Sequence, residues 1–226
     1  MIPKIIHYVW LGGEKPKAVL DCIKSWRDAC PDYEIREWNE SNSDLYLCDF
    51  IREAYALRKM AFVSDVIRLK VLIEYGGIYL DTDVRLLKSF DDFLHHRSFI
   101  GRESPFYVST AVIGSEPNVA WISEFLSNSY TTKGKHFILR YGTLDIVPNT
   151  RKLSEFLNNT WHRHFQDIAL YEEDFFCCKS YFTGEIQTTC NSVAIHDYMC
   201  TWRPNTLDTT LWSRFNNLLK RIINTK

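Results

Sequence analysis

The order of apolar and polar positions along the chain alternates between two periods. Ile5 to Leu11 is a short apolar run of the kind that forms a buried strand. Pro16 to Cys30 then places Val19, Ile23, Trp26 and Cys30 at helical spacing, with Pro31 as the stop. Tyr33 to Trp38 is a second strand candidate and Leu45 to Arg58 a second helix. In the next segment Val63, Val66, Ile67, Lys70, Val71 and Glu74 trace a helix that ends at Gly76-Gly77, where a left-handed residue is expected. Ile78-Tyr79-Leu80 follows as a strand running directly into Asp81-Thr82-Asp83.

Beyond Asp83 the pattern predicts strands at Ser98–Arg102 and Tyr107–Gly114. A helix over Pro117–Tyr130 has proline in its first turn. Asn149–His164 is partly helical, Ile168–Tyr171 and Val193–His196 are short strands, and Thr209–Ile223 is a terminal helix. Strands alternating with helices argue for an α/β sandwich. Such sheets bind ligands beyond the carboxyl ends of their strands, which is where the acid pair falls.

Composition narrows the classes. The chain has 226 residues, 46% apolar and 24% charged, so it is long enough for a real core and too apolar for disorder. Its 27 basic and 28 acidic residues give a net charge of −1, which removes the bulk positive surface that nucleic acid would require. The longest stretch free of Asp, Glu, Lys and Arg, Ser104 to Ser115, is 12 residues, short of the about 20 that a membrane span needs. Ile5–Leu11 runs into Gly12-Gly13-Glu14 without a small-residue cleavage site, so no signal peptide is expected. Seven cysteines, an odd number lacking C-x-x-C spacing, suit a reduced, cytoplasmic protein. Aromatic residues reach 15%, a proportion that serves sugar or base stacking as readily as a large core.

Asp81 and Asp83, two apart in extended chain, are expected to project to one side and converge on a hard cation. Mg²⁺ or Mn²⁺ there would neutralise charge on a departing nucleoside diphosphate. The same Asp81-Thr82-Asp83-Val84 stretch after an apolar strand also fits the Asp-x-Asp core of the nucleophile loop of haloacid-dehalogenase-type phosphatases, with Asp81 attacking phosphorus. That fold places the loop on its first strand and needs a later Gly-Asp loop, and this chain contains no Gly-Asp dipeptide. A glycosidase would need a second carboxylate to work with Glu172, Glu173 or Asp174, and nothing specifies one. A binding module that holds a nucleotide-sugar without turning it over is a third alternative.

Three motifs stand in order: His7-Tyr8-Val9-Trp10-Leu11-Gly12-Gly13, Ser64-Asp65-Val66-Ile67-Arg68, and Tyr75-Gly76-Gly77-Ile78-Tyr79-Leu80-Asp81-Thr82-Asp83. Together they resemble the Asp-x-Asp sugar transferases of glycosyltransferase family 32. That family contains capsular-polysaccharide and lipopolysaccharide transferases and fungal mannosyltransferases, and is related to the catalytic domains of large clostridial glucosylating toxins. The resemblance is strong over residues 2–90 and diffuse afterwards. It implies a single GT-A domain: a Rossmann-like nucleotide-binding sheet flanked by helices in residues 1–90, and a smaller acceptor-side subdomain in 91–226. It also implies a nucleotide-sugar donor, UDP-linked by family frequency, a divalent metal, usually Mn²⁺, and retention of anomeric configuration. The expected acceptor is a glycan or lipid-linked glycan of a bacterial surface polysaccharide.

Carried over residue by residue, the resemblance implies that Val9 and Trp10 contact the donor, with Trp10 stacking on its base. Asp65 would bond donor hydroxyls, Arg68 would hold sugar or diphosphate, and Tyr79 and Asp81 would touch the donor. Asp83 and Asp81, with His196, would hold the metal, and Trp202 would cap the phosphates. The family's Ala-x-His followed by Ser-Trp appears here as Ala194-Ile195-His196 with Thr201-Trp202. Core packing is the competing reading for Trp10, Tyr79 and a lone His196, and an exposed ion pair the competing one for Asp65 and Arg68. Tyr141-Gly142-Thr143 lacks the proline that relatives carry at the corresponding place, and Ser109 and Thr110 read equally as sugar contacts or structural hydroxyls. The terminal helix aligns Leu211, Trp212, Phe215, Leu218, Leu219, Ile222 and Ile223 on one stripe, with Arg214, Lys220, Arg221 and Lys226 elsewhere. Such a stripe suits docking on the core, or peripheral contact with anionic lipid at the inner face of a cell membrane.

Overall fold

The computed structural model describes residues 1–181 and 183–199. Trp202 and the terminal helix expected at Thr209–Ile223 lie outside them. The elements begin β1 (Ile5–Val9), α1 (Lys17–Ala29), β2 (Glu34–Trp38), α2 (Asp49–Ala56), α3 (Met60–Tyr75) and β3 (Gly77–Leu80). They continue β4 (Val84–Leu86), β5 (Ser98–Ser104), β6 (Tyr107–Ser115), α4 (Ala120–Leu126), α5 (Asn149–His164), β7 (Ala169–Tyr171), α6 (Glu173–Phe176) and β8 (Ala194–His196). No helix among the described residues is long and apolar enough to cross a membrane.

Six strands form one mixed sheet in the order β2-β1-β3-β6-β5-β7, and β4 pairs with β8 in a separate antiparallel ribbon. β1 runs parallel to β2 and β3, whereas β6 is antiparallel to both β3 and β5. Because side chains alternate along a strand, each central strand feeds two cores. Ile6, Tyr8, Ile78 and Leu80 pack on one face with Trp26 of α1 and Phe90. Val9 and Tyr79 pack on the other with Phe62, Val66 and Leu69 of the α2–α3 region and with Trp121 and Leu153. The sheet is therefore buried on both sides, and only its strand ends are available for chemistry.

The turn from α3 into β3 sets the site. Gly76 and Gly77 both have positive φ, 64° and 92°. A Cβ on Gly77 would lie 2.6 Å from the Ile5 carbonyl oxygen, so glycine lets β3 drop beside β1 immediately after the helix. Pro117 packs on Gly76 and the Asn118 N–H donates to Ile73 O at 2.9 Å. That docking explains why the helix expected from Pro117 starts only at Ala120: Pro117 and Asn118, with Asn118 at φ 60°, are spent on capping α3. The short β4 and α6, absent from the sequence reading, form through pairing and packing with β8 and β5 rather than through a period of their own.

His7, given no role by sequence, is fully buried and ties this corner together. Trp38 Nε1–H donates to its Nδ1 at 3.0 Å, so its Nε2–H must donate to Gly76 O at 2.8 Å. Burial pulls its pKa down from 6.5 to about 4, only partly opposed by the Gly76 carbonyl. The ring is neutral in the fold, whereas the unfolded chain binds a proton near pH 6.5. Stability is thus expected to fall as pH drops from about 6.5 to about 4, by about 3 kcal/mol at roughly 1.4 kcal/mol per pH unit. Urea unfolding across that range should show the loss, and His7→Gln, whose amide can accept and donate in the same places, should flatten it. An unchanged slope in the variant would place the effect elsewhere.

Candidate active site

The site forms where β3 ends. Asp81 N–H still bonds across to Ala111 O on β6 at 2.9 Å, but the chain then turns, with Val84 N–H donating to Asp81 O at 3.0 Å. Asp81 and Asp83 therefore converge through a tight turn and not through the extended chain expected from sequence. The turn also starts β4, and its partner β8 brings in His196: Val84 and His196 face each other across the ribbon. Asp81, Asp83 and His196 end with one ligand atom each within 4.8 Å of one another. Among the described residues this is the one group of three or more acidic, histidine or cysteine side chains with that spacing.

Asp83 Oδ1 lies 3.3 Å from His196 Nε2, and its Oδ2 accepts the Met199 backbone N–H at 2.9 Å. Burial pushes the Asp83 pKa up, but His196 and the Met199 N–H outweigh it and hold the carboxylate ionised. On His196 burial acts downward, and the Asp83 carboxylate with the Cys177 thiol overrides it, raising the imidazole well above its usual value. Two carboxylates and one imidazole on a part-buried turn make a mixed oxygen-nitrogen set that fits Mn²⁺ well and Mg²⁺ less closely.

Asp81 faces the other way as well. Its Oδ1 accepts from Tyr79 Oη–H at 3.0 Å and lies 3.1 Å from Arg68 Nη1. Arg68 is 4% exposed and every donor is directed: Nη1 to Thr110 O at 2.8 Å, Nη2 to Asp65 Oδ1 at 2.8 Å and to Ser64 Oγ at 3.3 Å. Its guanidinium sits over the Tyr79 ring, 4.6 Å from the centroid. Burial alone would lower its pKa, but Asp81, Tyr79 and Asp65 more than compensate and keep it cationic. Spacing of three on α3 does place Asp65 and Arg68 on one face, and that face is buried. Burial drives the Asp65 carboxyl up to about 6 against the pull of Arg68.

The other sequence candidates divide. Trp10 lies just beyond β1, half-buried, with its Nε1–H on Gly13 O at 3.0 Å. Val9 is buried in the core, so only its main chain is left for a ligand. Tyr79 is 1% exposed, and its hydroxyl reaches the site through Asp81. Ser109 Oγ accepts the Ala111 N–H, while Thr110 offers Arg68 its carbonyl, so both act structurally here. Asp174 is taken up by Thr189 and Asn191.

Two site residues have no signal in the sequence reading. Asn149, at the first turn of α5, donates to Asp65 Oδ1 at 3.2 Å and accepts from Tyr130 Oη–H at 2.8 Å. Glu103 lies where β5 shifts register between Arg102 and Ser104, a bulge of the kind that re-aims a side chain. Burial raises its pKa to about 7, and the Asp81 carboxylate adds to that, while His196 and the Thr150 hydroxyl pull it back. Neither belongs to a contiguous motif. Only the packing of α5 against β6 and the irregularity of β5 bring them in.

Comparison with known proteins agrees with this arrangement. Residues 16–100 match the family described as glycosyltransferase sugar-binding region containing DXD motif, a stretch that includes Asp65, Arg68 and the acid turn. Inositol phosphoceramide mannosyltransferase 3 of Schizosaccharomyces pombe is 35% identical over 121 residues, 50% of this chain and 33% of that protein. Inositol phosphoceramide mannosyltransferase 2 of the same yeast is 30% identical over 201 residues, 81% of this chain and 56% of that protein. The chain thus spans between a third and just over half the length of these two relatives. The UDP-bound glycosyltransferase domain of the YGT toxin superposes with a TM-score of 0.52 at 12% identity, over 75% of this chain and 79% of that one, and shares the fold. The acid turn at the end of β3, the buried Asp65–Arg68 pair behind it and the match over residues 16–100 identify a DXD-containing glycosyltransferase sugar-binding region, carried on a GT-A fold.

Proposed function

We propose that the protein is a metal-dependent retaining glycosyltransferase that moves a hexosyl group from a nucleotide-sugar, UDP-linked by preference, to a glycan or lipid-linked acceptor. The observation that carries this reading is the convergence of Asp81, Asp83 and His196 at one strand end, backed by a buried Arg68 that touches both Asp81 and Asp65. Asp83 and His196, with Asp81, would hold Mn²⁺, which supplies charge neutralisation on the donor diphosphate. Arg68 orients Asp81 and Asp65 as a fixed cation. Asp65, braced by Asn149, presents its remaining oxygen to donor hydroxyls, and Trp10 offers a ring at the end of β1. The two yeast relatives are inositol phosphoceramide mannosyltransferases, which supports a lipid-borne acceptor more directly than a bacterial capsule.

The phosphatase reading loses support here. Asp81, its nucleophile, is engaged by both Tyr79 and Arg68 instead of being free to attack. For the same reason Asp65, Asp81 and Asp83 are poor covalent nucleophiles toward a sugar. Glu103 is a site carboxyl with no ion pair among the described residues, and a pKa near 7 weakens it as a nucleophile. Front-face attack by the acceptor hydroxyl as the diphosphate leaves is then the simplest route to retention. NMR of the first-formed product should show the donor's anomeric configuration, and intact-mass analysis during turnover should show no added hexose. A glycosyl adduct on Glu103 would replace this route with double displacement.

A further inference from the structure

The segment between α4 and α5 contains a hairpin whose base is fixed and whose tip is bare. Phe137 is fully buried, its ring 5.4 Å from that of Phe50 and 5.0 Å from that of Phe62. Glu53 accepts the Ile138 N–H at 2.8 Å and bonds His136 Nδ1 at 2.9 Å. Ile138 bridges to Leu144, Leu139 N–H donates to Thr143 O at 2.7 Å, and Asp145 N–H donates to Phe137 O at 2.8 Å. Tyr141 and Gly142, at φ 66° and 76°, make the turn.

From this base the chain exposes Ile138 (40%), Leu139 (44%), Tyr141 (91%), Ile146 (59%) and Val147 (38%). Lys133, Lys135 and Arg140 flank them in the sequence and have no ion pair among the described residues, and Arg140 lies over the Tyr141 ring, 5.4 Å from its centroid. The one acid of the segment, Asp145, is neutralised by Lys152 at 2.7 Å. Exposed aliphatic groups, an exposed tyrosine and cations without acidic partners are the combination that partitions into the interface of an anionic bilayer. A sugar would demand free carboxylates or amides for its hydroxyls, and the hairpin offers none. A second copy meeting on the same face would oppose three cations with three.

We propose that residues 133–147 form a membrane-contact finger, with Leu139, Tyr141 and Ile146 entering the headgroup region and Lys133, Lys135 and Arg140 meeting anionic headgroups. The finger runs straight into α5, whose Asn149 bonds Asp65, so docking sets the site beside the lipid surface. The inference does not depend on the transfer reaction, and its test reads lipid binding alone.

The full chain is to be sedimented with vesicles of phosphatidylcholine, with and without roughly 30 mol% phosphatidylserine, and the lipid-bound state probed by hydrogen exchange. Expected are binding to the anionic vesicles that weakens at high salt, and slowed exchange confined to about residues 133–147. Leu139→Ser/Tyr141→Ser/Ile146→Ser should reduce partitioning at least ~10-fold with an unchanged thermal midpoint. Lys133→Glu/Arg140→Glu, which leaves the apolar tip intact, should also reduce it. The proposal fails if the wild type ignores anionic vesicles, if both variants bind as the wild type does, or if protection appears only elsewhere, as in 209–223. Self-association lost in the serine variant without lipid binding would equally overturn it.

Discussion

Asp83→Asn is expected to abolish sugar transfer while leaving the fold intact. The amide keeps an oxygen for the Met199 N–H, so the turn should hold its shape. What disappears is the negative charge facing His196 and, with it, most of the attraction for a divalent cation. Transfer should fall by ~100-fold or more, and Mn²⁺-assisted nucleoside diphosphate binding should weaken by more than ~10-fold, about 1.4 kcal/mol. Calorimetry with and without Mn²⁺ separates the two effects: binding without metal should be nearly unchanged. An Asp83→Asn protein that transfers sugar at the wild-type rate would remove Asp83 from the metal site.

Arg68→Met should be the most damaging single substitution for the fold. The guanidinium is buried, and it compensates Asp65 from one nitrogen and Asp81 from another while satisfying the Thr110 carbonyl. Methionine fills similar volume but leaves Asp65 buried beside Asn149 without its cation, a class of change that costs about 3–5 kcal/mol. Lysine should not rescue it, since a single ammonium cannot span Asp65, Asp81 and Thr110 as the planar fork does. Urea unfolding of Arg68→Met and Arg68→Lys tests this. A loss under about 1 kcal/mol in both would mean the pair is dispensable to stability. Adding Asp65→Asn to Arg68→Met should restore part of the loss, because the stranded carboxyl is then gone.

These two residues also show what was legible in the sequence. Arg68 within an apolar helix demanded a partner, and Asp65 three residues earlier supplied one on the same face. The Gly76-Gly77 stop, the buried β3 strand and the acid pair after it were local features, readable because each rests on neighbouring residues. His196 was placed by its family spacing, and the physical reason appears only in the fold: β8 pairs with β4 in register, setting His196 across from Val84. The strand Ile78–Leu80 reads correctly, but extended chain across Asp81 and Asp83 does not: the chain turns there, with Val84 N–H on Asp81 O, to start β4.

Glu103 and Asn149 were illegible for a related reason. A bulge in β5 and the packing of α5 on β6 depend on residues tens of positions away, and no periodicity encodes them. A lone buried histidine such as His7 gives no signal in the sequence, because its role appears only with Trp38 and Gly76 on its two nitrogens.

Incubating the chain with a panel of UDP-sugars, GDP-sugars and simple phosphoesters, with and without Mn²⁺, tests the central claim most directly when nucleoside diphosphate and inorganic phosphate are both measured. The account predicts slow release of one nucleoside diphosphate that requires Mn²⁺ and is lost in Asp83→Asn, together with a raised thermal midpoint for that donor. Silence toward every donor, with inorganic phosphate released from simple phosphoesters, would contradict it and make the acid turn a phosphatase loop.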